Sequence, residues 1–210
     1  MSTKPTWLIF DLGGVVVDID FKSVLQEFCK TANVSIEEAT KLFIDRCTHG
    51  LEEFNLTEGY QKGEITCDEF LDGIVFHSNN QFDRASARVL WNNILVREKQ
   101  DTLELIKQFK SHYNLAIYSN TNQIHCEYMR EHYQFFSEFQ EVYLSHEVGL
   151  IKPDPAVFDF IAQDLQAKPE QCVFIDDTLP NIEAALNKDF QAVHFKNAKD
   201  LHFLLENVGA

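Results

Sequence analysis

Four polar groups in this 210-residue chain follow or flank short apolar runs, at the places where buried strands would end. Asp11 follows WLIF, Ser119 with Asn120 follows LAIY, and the doublet Asp176 and Asp177 follows CVFI. Lys152 lies in GLIKPDP, just before the helix start that Asp154 and Pro155 signal as a cap and a first-turn proline. In a parallel sheet such strand ends share one edge, and ligands bind there. A lone carboxylate opposite a carboxylate pair is a hard-oxygen site suited to Mg2+, which takes one or two carboxylates together with waters or phosphate oxygens. A serine hydroxyl and backbone N–H groups at a strand-to-helix turn suit a phosphate, and Lys152 adds a fixed cation. With the phosphate charge offset, Asp11 is a carboxylate able to attack phosphorus and form an aspartyl phosphate. Each signal taken alone has an ordinary reading as a turn former, a helix cap or a solvated lysine. Their joint order and spacing point to chemistry.

The elements that would position these groups are legible as two patterns. WLIF (Trp7 to Phe10) is short and uniformly apolar, as expected of a strand buried on both faces of a parallel sheet. Further strands are expected at Leu115–Ser119, Val142–Ser145, Cys172–Ile175 and Ala192–Phe195. Between Phe21 and about Leu95 the spacing is helical with almost no strand signal. Val24, Leu25 and Phe28 form one stripe, and Ile36, Ala39, Leu42 and Phe43 form another behind the cap Ser35. Leu51 to Tyr60, Cys67 to Phe76 and Phe82 to Leu95 continue the pattern. Leu103, Ile106 and Phe109 then predict a helix ending near Asn114, followed by helices at Asn122–His132, after Asp154, and at Pro180–Leu186. The fold expected is α/β, a doubly wound parallel-sheet core interrupted by an inserted α-helical cap. The core would comprise residues 1–18 and 96–210, and the cap residues 19–95.

Composition narrows the partners. Asp and Glu outnumber Lys and Arg by 33 to 18, a formal charge of −15, which disfavours nucleic acid and anionic membrane surfaces. It also means that a phosphorylated small molecule needs a metal ion or placed cations to enter. The five cysteines, Cys29, Cys47, Cys67, Cys126 and Cys172, are scattered without a CxxC pair. They predict reduced thiols and a cytoplasmic protein rather than a disulfide framework or zinc knuckle. No apolar run reaches the length of a membrane span. Monomer and dimer are equally compatible with the sequence.

The stretches FDLGGVVVDID, YSNTN, GLIKPDPAVF and FIDDTLPNI resemble, in order and spacing, the four motifs of the haloacid dehalogenase-like (HAD) hydrolases. The helical insertion after the first motif is similar to that family's cap, and the resemblance extends over about residues 6 to 195. It lies nearest the small sugar-phosphate phosphatases whose first motif begins DLG. The resemblance implies a Rossmann-like core with Asp11 as nucleophile, Ser119 and Asn120 at the phosphate, and Lys152 steadying both. It implies Mg2+ held by Asp11, Asp176, Asp177 and the backbone carbonyl of Gly13, with Asn181 orienting the carboxylates. The activity implied is hydrolysis of a small phosphorylated metabolite, a sugar phosphate in that branch.

One position departs from the family. Most members carry a second aspartate where this chain has Gly13, and that residue protonates the leaving group and later activates water. A general acid and base is worth about 10²–10⁴ in rate. Another group could take the role, with Asp18, Asp20 and the cap histidines His49 and His77 as candidates. Alternatively the substrate is not a phosphoester: a phosphonate, attacked with the help of a cap lysine such as Lys41 or Lys62, or a haloacid. A third reading is a non-catalytic binder of a phosphorylated ligand. Retention of Asp11, Ser119, Lys152 and both late aspartates favours the phosphatase. His125, Cys126 and Cys172 are read as structural, because none has partners at metal-ligand spacing.

Overall fold

The computed structural model describes residues 4–43, 47–49, 52–54 and 56–206, with side chains for 4–43 and 56–206. In chain order the elements begin β1 (Trp7–Phe10), β2 (Val17–Ile19), α1 (Phe21–Ala32), α2 (Ile36–Phe43), β3 (Cys47–His49), β4 (Glu52–Phe54), α3 (Leu56–Gln61), α4 (Cys67–His77) and α5 (Arg84–Asn92). They continue β5 (Leu95–Glu98), α6 (Gln100–Phe109), β6 (Asn114–Ser119), α7 (Gln123–His132), β7 (Glu141–Leu144), α8 (Ser145–Val148), α9 (Pro155–Asp164), β8 (Cys172–Asp176), α10 (Leu179–Leu186), β9 (Gln191–His194) and α11 (His202–Glu206).

Five of the strands form one parallel sheet in the order β7-β6-β1-β8-β9. The chain builds outward from β1 through β6 to β7, then returns to the other side of β1 for β8 and β9. The order therefore reverses between β1 and β8, the crevice where open α/β sheets bind ligands. Strand alternation separates two cores. Leu8 and Phe10 of β1 face the layer containing Leu103, Ile106 and Phe109 of α6, while Ile9 faces Val157, Phe158 and Ile161 of α9. All three of those α9 residues are fully buried, which stabilises the layer by about 1.5–3 kcal/mol for each side chain. Asp154 caps α9, its carboxylate accepting the Ala156 N–H at 2.8 Å ahead of Pro155, as the sequence predicts. Among the described residues no helix is long and apolar enough to cross a membrane.

The helices between β2 and β5 bury a third, aromatic core. Trp91 stands at its centre, 5.8 Å from the Phe43 ring and 4.8 Å from the Phe70 ring, and Tyr60 stacks on Phe70 at 4.3 Å. This layer grips α7: His125 stacks on Trp91 at 5.2 Å, the Ile124 N–H donates to the Tyr60 hydroxyl at 3.1 Å, and Arg88 pairs with Glu127 at 3.0 Å. α7 begins directly after Ser119–Asn122, so the helical layer is docked on the element that follows the second motif.

Three local expectations need correction. The stretch read as helical around Leu51–Tyr60 contains a short antiparallel pair, β3 with β4, before α3 begins at Leu56. Val17–Ile19 and Leu95–Glu98 pair as a two-stranded ribbon at the ends of the insertion, where three- and four-residue strands leave too short a pattern to read. The helix over Leu103–Phe109 ends at Phe109, capped at Lys110, and Asn114 opens β6 instead of closing the helix.

Phe70 is fully buried between Tyr60 and Trp91. Phe70→Ala is expected to cost about 3–5 kcal/mol of stability, read as a lower denaturation midpoint; an unchanged midpoint would mean that this aromatic core does not hold the helical layer.

Candidate active site

Strand register brings the sequence-predicted groups to one edge. Phe10 pairs with Ile175 on one side and Ile117 on the other, so Asp11 is level with Asp176 and one residue short of Ser119. The Asp11 N–H continues the ladder to the Ile175 carbonyl at 2.9 Å, and the Leu12 N–H donates to Asp11 Oδ1 at 2.7 Å. One carboxylate oxygen of Asp11 is thus fixed by backbone.

Lys152 is the hub. Its side chain is 1% exposed, and its ammonium lies 2.9 Å from Asp11 Oδ1 and 2.7 Å from Asp176 Oδ2. It also donates to the Tyr118 carbonyl at 3.2 Å and sits 5.4 Å from the Phe174 ring centre. A buried ammonium needs such compensation. Burial alone would lower the Lys152 pKa, but Asp11 and Asp176 together hold it above the usual lysine value. For Asp11 burial is the largest influence and is reinforced by Asp176; against the pull of Lys152 it raises the carboxyl to about 6. Asp177 is raised as well, by burial first and Asp176 second.

The loop carrying Lys152 is held by Asn120. The Asn120 amide donates to the Lys152 carbonyl at 2.9 Å and accepts the Lys152 N–H at 2.9 Å. Both ends of that side chain are therefore committed to Lys152, and only the Asn120 backbone is left to face a phosphate. Ser119 is buried at 3% exposure and makes no side-chain hydrogen bond among the described residues, leaving its hydroxyl available. Asn181 lies where the sequence suggests, its amide 3.0 Å from both oxygens of Asp176. The Thr178 N–H adds a further bond to Asp176 Oδ1 at 2.8 Å.

Asp11, Asp176 and Asp177 each offer an oxygen within 4.8 Å of the others, a donor set that fits a hard divalent cation. Gly14 makes that cluster possible. Gly14 has φ +74°, and a Cβ there would stand 2.2 Å from Asp177 Oδ2. Lys99 donates to the Gly14 carbonyl at 2.9 Å and so braces the loop, a role invisible in the sequence because the residues are 85 apart. At Gly13, by contrast, a Cβ would meet only Ile19, at 3.5 Å, so packing leaves room for a side chain there.

The described groups considered as substitutes for an acid at position 13, and the lysines considered for a phosphonate substrate, lie elsewhere or have other partners. Asp18 pairs with Arg97 at 2.9 Å and faces Lys99 at 3.7 Å, and Asp20 caps α1 through the Ser23 N–H at 2.9 Å. His77 and Lys41 line a different cavity with Phe28 and Val34, and Lys62 pairs with Glu58. The side chain of His49 lies outside the described residues. His125 is buried and neutral: burial lowers it to about 4, Nε2 carries the hydrogen toward the Trp91 carbonyl at 2.9 Å, and Nδ1 faces the Asn122 amide at 3.3 Å. Cys126 and Cys172 are buried and free, as read from the sequence.

The approach of Asp177 to Gly14 yields a test. Gly14→Ala should weaken divalent-cation binding by about 10–100-fold, measured calorimetrically; wild-type affinity would show that this close approach is not needed.

Comparisons with known proteins agree with this geometry. The model of the family described as haloacid dehalogenase-like hydrolase matches residues 6–187. A D-ribitol-5-phosphate phosphatase from Bacteroides thetaiotaomicron is 24% identical over 199 residues, covering 92% of this chain and 93% of that protein. The crystal structure of a HAD family enzyme from the same organism, in complex with magnesium and inorganic phosphate, superposes with a TM-score of 0.79 at 26% identity, covering 91% of this chain and 94% of that one. Another crystal structure of that enzyme gives a TM-score of 0.84 at 26% identity, covering 97% and 99%. With a parallel sheet ending in Asp11, Ser119 and Asp176 and a family model spanning most of its length, this chain belongs to the haloacid dehalogenase-like hydrolases.

Proposed function

We propose that this protein is a Mg2+-dependent phosphatase of a small phosphorylated metabolite of the sugar-phosphate class, with residues 19–95 acting as a cap over a core of 1–18 and 96–210. The observation that carries the reading is the buried Lys152 ammonium held between Asp11 and Asp176, beside Asp177 and a free Ser119 hydroxyl. The phosphatase and the magnesium and phosphate complex among the similar proteins support it.

In this mechanism Asp11, Asp176, Asp177 and the Gly13 carbonyl would hold Mg2+, which supplies positive charge at the phosphoryl oxygens. Lys152 and the Ser119 hydroxyl bind the same phosphoryl group, and the Leu12 N–H keeps one Asp11 oxygen aligned. Asp11 attacks phosphorus through a carboxylate oxygen, the ester P–O bond breaks, and the departing oxygen takes its proton from water. Water then attacks phosphorus, the P–O bond to Asp11 breaks, and inorganic phosphate departs as the carboxylate is regenerated. Lys152 enters the cycle protonated, because Asp11 and Asp176 hold its pKa up against burial. Gly13 brings no acid to the leaving oxygen. Among the described residues the cavity beside it is lined by no carboxylate.

Two outcomes test the proposal. Asp11→Asn should abolish phosphate release from sugar phosphates in the presence of Mg2+, and unchanged release would sink the mechanism. The raised Asp11 pKa sets a pH dependence: the metal binds the carboxylate, so a proton competes once the pH falls below about 6. Apparent Mg2+ affinity should weaken below that pH, by up to about tenfold per pH unit; affinity that stays flat down to the ordinary aspartate range would contradict the direction of the shift.

A further inference from the structure

A cavity of about 210 Å³ lies between the sheet edge, at Gly13 and Ser119, and the helical layer, at Thr57, Gln61 and Trp91. It is smaller than the ~300–1,000 Å³ typical of drug-sized pockets. A ligand seated in it is compact and touches both walls. None of the described lining residues is Asp, Glu, Lys or Arg, so a polar atom of that ligand is met by uncharged groups.

On the helical wall one polar side chain is both open and uncommitted. The Trp91 indole N–H and the Thr57 hydroxyl have no partner, but both atoms are sealed, so a ligand in the cavity does not reach them. Gln61 follows Thr57 by one turn on the same face of α3 and is half-buried against the cavity. Its amide makes no hydrogen bond among the described residues and is not sealed. The charged neighbours Glu58 and Lys62 pair with each other at 2.6 Å, and neither lines the cavity. Gln61 is also held from both sides. Before it, the Tyr60 ring stacks on Phe70 and the Tyr60 hydroxyl accepts the Ile124 N–H of α7 at 3.1 Å. After it, Gly63 has φ +70°, and a Cβ there would stand 2.4 Å from the His146 carbonyl oxygen of α8. Backbone anchored to α7 and α8 thus presents the amide to the cavity, which lowers the ordering cost of using it.

Resting on the phosphatase reading, we propose that Gln61 is a specificity-determining residue, whose amide hydrogen-bonds an uncharged hydroxyl of the leaving group while Ser119 and Lys152 hold the phosphoryl group. A carboxamide carries both a donor and an acceptor, so it can match the oxygen and the hydrogen of one hydroxyl. A leaving group without hydroxyls covers the amide and leaves it unpaired, which is how a polar site rejects an apolar analogue. Selection is then made by the helical layer, and the groups on the sheet edge are left to the phosphate.

The test compares kcat/KM for ribitol 5-phosphate, for pentyl phosphate, which has the same carbon chain without hydroxyls, and for para-nitrophenyl phosphate. The wild type, Gln61→Leu and Gln61→Ala are measured side by side. The wild type should favour ribitol 5-phosphate over pentyl phosphate by at least about tenfold. Each variant should lose about tenfold on ribitol 5-phosphate, the worth of one hydrogen bond, and keep its rates on the two esters that offer no hydroxyl. A general disturbance of the fold or site would instead lower all three, and Gln61→Ala carries the comparison alone if Gln61→Leu does not fold. Equal losses on all three esters, no loss on ribitol 5-phosphate, or a wild type without preference for it over pentyl phosphate would overturn the assignment while leaving the phosphatase reading in place. No phosphate release from any of the three by the wild type would overturn the phosphatase reading and this inference together, so the two failures are distinguishable.

Discussion

A buried ammonium between two carboxylates is the constraint on which the rest of this structure depends. Lys152 and Asp176 have side-chain exposures of 1% and 0%, so neither charge is supported by solvent, and each is stable only through the other and through Asp11. Three carboxylates and one ammonium leave two uncompensated negative charges when all are ionised. That residue of charge explains why burial and mutual repulsion push Asp11 and Asp177 upward. It also makes the site complementary to a divalent cation, and, once the cation is present, to a phosphate. In an acidic chain of net charge −15, this local arrangement is what admits an anionic substrate.

Much of the surrounding structure serves to keep those charges in register. The parallel ladders set Asp11 level with Asp176, Asn181 and the Thr178 N–H hold the Asp176 carboxylate, and Asn120 clamps the backbone of Lys152 from both sides. Lys99 and the left-handed Gly14 do the same for the loop after β1. The helical layer reaches this edge through α7, with Trp91 and Tyr60 bearing on the first turns of the helix that begins after Ser119–Asn122. Movement of the layer would therefore be felt next to Ser119.

The sheet and the polar groups gathered at its edge were legible in the sequence because each depends on local pattern. WLIF, LAIY and CVFI are apolar runs that end in the residues of interest, and parallel strands put such ends on one edge whatever lies between them. Asp154 and Pro155 likewise announce a helix start by chemistry confined to a few residues. What could not be read depends on long-range pairing. Asn120 looks like a phosphate neighbour, yet its amide is committed to Lys152, 32 residues away. Asp18 looks like a spare acid until Arg97 and Lys99 are found beside it. The ribbon of β2 and β5 is too short to have a period, and the unpartnered Trp91 indole emerges only once the aromatic core is assembled.

The proposed route through Asp11 is tested most directly by trapping the intermediate. The protein is mixed with Mg2+ and a sugar phosphate, quenched in acid during turnover, digested and analysed by peptide mass spectrometry. The mechanism predicts phosphate on the peptide containing Asp11, formed at a rate sufficient to account for turnover and lost when the substrate is exhausted. Turnover with that peptide unmodified, or with the phosphate on another residue, would contradict it.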